Sequence, residues 1–145
     1  MANEIDRLLG LLDAAYNRKS WHGTNLRGSI RGLRAEQAAW HPRAGGHCVA
    51  DIVVHCAYWK YAVWRRLRGE KRGSFPLKGS NWFRLTAPVT ESAWRQYVAL
   101  LDDQHDALRK AVGELTAAAL AATPASSKVS NLALLQGVAF HDVYH

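Results

Sequence analysis

The stretch TESAWRQYVALLDDQHDALRKAVGEL, residues 90–115, has the most regular pattern in the chain. Its residues Trp94, Val98, Leu101, His105, Leu108, Val112 and Leu115 follow one another at intervals of 4, 3, 4, 3, 4 and 3, the period of one buried helix face. A half-buried strand would alternate at every second residue instead. Thr90, ahead of Glu91, Ser92 and Ala93, is an N-cap, because its hydroxyl can accept from an unpaired amide of the first turn.

Working outward, the same period recurs on both sides. Downstream, alanine-rich Thr116 to Ala122 ends at Pro124, and Ala125 to Ser130 is a polar linker. Leu132, Leu134, Leu135, Val138 and Ala139 then start a helix near Ser130 that is still helical in pattern at His145. Upstream, Val49, Ile52, Cys56, Trp59, Val63 and Leu67 follow Gly45-Gly46 and predict a helix to Arg68, stopped by Gly69. Ile5, Leu8, Leu9, Leu12, Ala15 and Tyr16 predict a first helix from about Asn3 to Arg18.

Between the first two helices, Ser20 to Pro42 carries Gly23, Gly28, Gly32 and Pro42. It reads as a long connection with helical turns near Asn25 to Leu33 and Ala35 to Ala38. Glu70 to Pro88 loses periodicity but keeps Phe75, Trp82 and Phe83, which predicts a loop folded back onto the body. Four amphipathic helices without a strand candidate give an all-α fold, a four-helix bundle with a long connection between its first two helices.

The 145 residues, 48% of them hydrophobic and 21% charged, suit one soluble domain spanning 1–145. Met1 to Arg7 lacks the basic start and apolar run of a signal peptide. No stretch approaches a membrane span, so a cytoplasmic protein without membrane attachment is expected. Cys48 and Cys56, about 12 Å apart along one helix, cannot pair.

The net charge is +7, with a basic run of Lys60, Arg65, Arg66, Arg68, Lys71, Arg72 and Lys78. A solvated helix end and loop explains the run, and a surface that attracts an anionic small molecule explains it as well. No nucleic-acid-binding motif accompanies it, which argues against that partner.

His141 and His145 stand at i and i+4, so one helix face carries both imidazoles. Val138 and Leu134 precede them on the apolar stripe, which points the pair inward. His55, beside Ile52 and Trp59 on the second helix, is the natural third ligand. Three neutral imidazoles could hold a metal ion and leave a position open. Three satisfied core histidines are the other reading of the same pattern.

Around this trio, Asp51 lies one turn before His55 and Asp142 directly after His141. Either could orient an imidazole or act as a base, and dipole placement explains Asp51 equally well. His105, on the third helix's stripe, could approach the metal or be a core residue. His22, His41 and His47 lie in the long connection, facing either substrate or solvent. Cys56 points about 100° away from His55 and reads as a buried thiol.

The segments Asp51-Ile52-Val53-Val54-His55-Cys56-Ala57-Tyr58-Trp59 and Phe140-His141-Asp142-Val143-Tyr144-His145 resemble the signatures of the DinB/YfiT-like metalloenzyme superfamily. Trp21-His22-Gly23 and Gly45-Gly46-His47 resemble its loop segments. The name refers to DNA-damage-inducible proteins, not to the polymerase that shares it.

The resemblance implies a divalent ion, zinc, nickel, iron or manganese, on His55, His141 and His145. It implies thiol S-transferase or isomerase chemistry with a low-molecular-weight thiol, or hydrolase chemistry, on a small-molecule substrate, with a homodimer as the assembly. The family's fourth helix runs on past its last histidine, whereas His145 is the final residue here. The expectation is that either the natural chain continues and the end of that helix is missing, or the site is weakened at a fraying helix end. The reading is a metal-dependent hydrolase or thiol transferase with catalytic residues unassigned. The alternative is a metal-stabilised, non-catalytic binding or stress-response module, whose closed site would need a fourth ligand such as His105.

Overall fold

Side-chain caps set most helix boundaries in this protein. Asn3, Thr90, Thr116 and Ser130 each accept from the backbone N–H three residues on, starting α1 (Glu4–Tyr16), α5 (Glu91–Gly113), α6 (Ala117–Ala121) and α7 (Asn131–Tyr144). In the computed structural model, which describes residues 2–145, two short helices, α2 (Leu26–Ser29) and α3 (Ala35–Ala38), occupy the connection that precedes α4 (Val49–Arg68).

The start of α4 is fixed by Cys48, whose backbone N–H donates to the Asp51 carboxylate at 2.9 Å. Gly69 ends the helix in the left-handed region at φ 67°, a conformation that costs glycine little. The chain is therefore all-helical, with no strand among the described residues beyond an isolated bridge between Ser80 and Trp82. The helices begin and end within a few residues of the sequence expectation. The alanine-rich segment after α5, which had no assigned structure, forms α6.

The four long helices make the body: α4 packs against α5 and α7, and α1 packs against the same two. One apolar cluster joins α4 to α5 through Val53, Cys56, Ala57, Tyr61, Trp94 and Leu101. A second gathers Leu8, Leu12, Val63, Leu108, Leu135 and Val138 around α1 and α7. Leu101, Leu108 and Leu135 are fully buried, and truncating any one to alanine costs about 2–5 kcal/mol.

The segment after α4 does fold back. Phe75 packs its ring 5.3 Å from Tyr61 and 5.3 Å from Phe83, and Tyr58 lies 5.5 Å from Phe83. This aromatic contact carries residues 80–83 to the side of α4 that bears His55.

Candidate metal centre

His55 on α4 meets His141 on α7 and His145, the residue that caps α7, where the two helices run side by side. Ring centroids are 4.8 Å apart for His55 and His141, 4.9 Å for His55 and His145, and 4.6 Å for His141 and His145. One ring nitrogen from each lies within 4.8 Å of the other two. The His145 N–H still donates to the His141 carbonyl at 3.1 Å, so the last helical bond is made.

The tautomer of His55 follows from its partner. Its Nδ1 lies 2.9 Å from the Asn81 carbonyl, which can only accept, so Nδ1 carries the proton and Nε2 keeps its lone pair. That lone pair faces His141 Nε2 at 3.0 Å. Two nitrogens on one tetrahedral ion at about 2.0–2.1 Å would stand about 3.3 Å apart, close to this separation. His141 Nδ1 is buried without a hydrogen-bond partner.

The clamp on His55 comes from the aromatic-rich loop that follows α4, in which no single residue is marked out by the sequence. Asn81 sits at φ 62°, a left-handed conformation that asparagine tolerates better than most residues. Its side chain accepts from Trp59 Nε1 at 3.0 Å while its carbonyl holds His55. Trp82 then lies flat between two imidazoles, 3.8 Å from His55 and 3.5 Å from His47, with interplanar angles of 6° and 4°. The only sequence signal was the cluster of aromatics in an aperiodic segment.

All three imidazoles are held neutral. Burial lowers the pKa of His141 to about 4, with His145, His55 and Lys60 adding like-charge repulsion. Burial likewise lowers His55 and His145, with further downward pressure from His47 on both and from His55 on His145. Neutral imidazole is the form that binds metal.

The remaining candidates fall elsewhere. Asp51 caps α4 and faces His41 at 3.5 Å and His47 at 4.0 Å, so the imidazoles near its carboxylate belong to the connection. Asp142 is wholly buried in an ion pair with Lys60. It also shares a group with Cys56 and His141, one ligand atom of each within 4.8 Å. Burial pushes its carboxyl up against the opposing pull of the Lys60 ammonium, and pushes the Cys56 thiol to about 12.

His105 stacks on Tyr16 at 3.9 Å and sits 3.4 Å from Lys60 Nζ and 3.7 Å from Asp13, with no contact to the trio. Burial and the neighbouring ammonium lower its pKa to about 3. The other connection histidine, His22, lies 3.2 Å from the Ala14 carbonyl.

The basic run is not one surface. Lys60 is fully buried and Arg65 nearly so, Arg66 reaches the Ala62 and Ser126 carbonyls, and Arg68 pairs with Glu114 at 2.7 Å. Helical geometry divides the run among faces that the linear sequence lists together.

Beside His141 opens a mainly apolar cavity of about 320 Å³, lined by Trp59, Val63, Leu134, Gly137 and Val138 with Arg66 among them. A donor set of three neutral nitrogens, two of them with facing Nε2 atoms, fits a borderline divalent cation. No fourth protein ligand joins the trio among the described residues.

The model of the family described as the DinB superfamily matches residues 19–145 of this chain. Comparison with curated proteins and with solved structures gives no match.

Proposed function

The chain belongs to the DinB superfamily, and from that premise we propose that it is a metal-dependent enzyme whose divalent ion is held by His55, His141 and His145. The observation that carries the reading is the convergence of three neutral imidazoles, one nitrogen of each within 4.8 Å. Asn81 supports it from outside, because a ligand histidine usually donates its second N–H to a carbonyl or carboxylate.

When bound, the ion supplies Lewis acidity that polarises a substrate or acidifies a bound water or thiol, the chemistry shared by hydrolases and thiol S-transferases. The chain's own residues do the rest. Asn81 and Trp82 fix the plane and tautomer of His55. The apolar cavity beside His141 offers a water-poor wall for a small-molecule substrate, with the Arg66 guanidinium available to an anionic group. Zinc, nickel, iron and manganese all suit a nitrogen-rich site of this kind.

The placement of His105 favours the enzyme over a closed, non-catalytic module, because the residue best able to close the site is engaged with Lys60 and Tyr16. We read the four long helices as the family's four-helix bundle and place the protein in the cytoplasm. No helix among the described residues is long and apolar enough to cross a membrane. The exposed Phe140, Val143 and Tyr144, at one-turn spacings on α7, support a homodimer, which light scattering tests.

The test of function is metal uptake. Protein stripped with chelator and incubated with zinc, nickel or manganese is expected to regain one ion at the trio and, with it, turnover of ester or thiol-conjugate substrates. Failure to take up any of the three ends the reading. A manganese form with no exchangeable water by proton relaxation turns it towards the binding module.

A further inference from the structure

A second set of ligating side chains lies outside the trio, where the connection meets the start of α4. His41 reaches in from the irregular segment before Gly45, and Cys48 and Asp51 sit at the helix start. One ligand atom from each lies within 4.8 Å of the other two, with His41 Nε2 3.5 Å from Asp51 Oδ2. All three line one cavity of about 680 Å³, walled also by Phe83 to Val89.

The Asp51 carboxylate is anchored by one oxygen, since Oδ2 accepts from the Cys48 N–H at 2.9 Å. Its Oδ1 has no protein donor among the described residues. Cys48 is only 3% exposed and yet lines the cavity. We propose that His41, Cys48 and Asp51 form a second divalent-metal site, selective for zinc-like ions and open on its cavity side.

The chemistry of the donors supports a cation. Burial raises the Cys48 thiol pKa, against the opposing pull of the Asp51 backbone N–H and with the Asp51 carboxylate adding to the rise, so a thiolate here gains from a neighbouring positive charge. A borderline ion accepts sulfur, nitrogen and oxygen together, whereas calcium or magnesium would reject the thiolate. Three protein ligands leave at least one position free. His41 is half exposed on a non-helical segment, so it can close the remaining distance. His47, 4.0 Å from the same carboxylate and stacked on Trp82, lies between this cluster and His55.

Cobalt(II) titration of the full chain tests the proposal, because a thiolate ligand gives a charge-transfer band that the all-nitrogen trio cannot give. The band is expected in the wild type, in Cys56→Ser and in His55→Ala, which keeps this result separate from any failure of the trio. It should vanish in Cys48→Ser and weaken in His41→Ala. Serine is a favoured N-cap, so Cys48→Ser keeps α4 intact, and unchanged far-ultraviolet circular dichroism verifies the fold. No band in the wild type, a band that survives Cys48→Ser, or one that disappears in Cys56→Ser overturns the site.

Discussion

His55, His141 and His145 form one polar cluster on α4 and α7, buried at His55 and half-buried at the other two; Lys60, Asp142, His105 and Tyr16 form another, fully buried, drawing on the same two helices and on α1 and α5. The second cluster compensates its charges internally. Lys60 pairs with Asp142 and lies 4.6 Å from the Tyr16 ring centre, and the Tyr16 hydroxyl donates to Asp102, itself paired with Arg27 at 2.8 Å. The first cluster contains bases alone. Its members lower one another's proton affinity, and no carboxylate faces them with a hydrogen bond. A self-compensated set holds helices in register, whereas a set of neutral bases suits the metal ion proposed for it.

The largest effect expected from this contrast is on metal content. His55→Ala or His141→Ala should lose about one equivalent of ion relative to the wild type by elemental analysis, with His145→Ala at the helix end losing less. Full retention by His141→Ala would make the two clusters equivalent.

The other cluster should respond in stability. Lys60→Met strands the Asp142 carboxylate in the interior and should cost about 3–5 kcal/mol in urea unfolding. Lys60→Met combined with Asp142→Leu should recover most of that loss. A double variant as unstable as the single one would mean that the pair does more than balance charge.

Acid sharpens the comparison further. His141 and His105 have folded pKa values of about 4 and about 3, below the ordinary value near 6.5. The unfolded chain therefore binds more protons in that window. The stability these groups contribute is full above pH about 6.5 and is lost as pH falls towards their folded values. Bound metal should resist the same acid better than free histidine would, with occupancy at pH about 6 largely kept. A midpoint of metal release at or above the free-histidine pKa would contradict the neutral-trio geometry.

The smallest effect concerns the loop clamp. Trp82→Ala leaves all three ligands in place but frees the His55 ring, and should weaken metal affinity about 10–100-fold. An unchanged affinity would leave the stack as packing alone.

Periodicity and caps are local properties, so the sequence by itself determined the all-helical class and the extents of α1, α4, α5 and α7. It set His55 on a buried face, whereas His141 and His145 are half-buried beside an α7 stripe made by Leu135, Val138, Ala139 and Asp142. A helix fixes which of its own residues share a face, and Thr90 and Ser130 mark where helices begin. Tertiary structure alone decided which faces meet. It paired Lys60 with Asp142 across 82 positions, turned His105 towards Tyr16 instead of the trio, and brought the Asn81 carbonyl and the Trp82 ring onto His55. Residues 70–90 have no period to read, and their position depends on where Phe75 and Phe83 find aromatic neighbours. The identity of a buried charge's partner depends likewise on helices distant in sequence, which no spacing along the chain encodes.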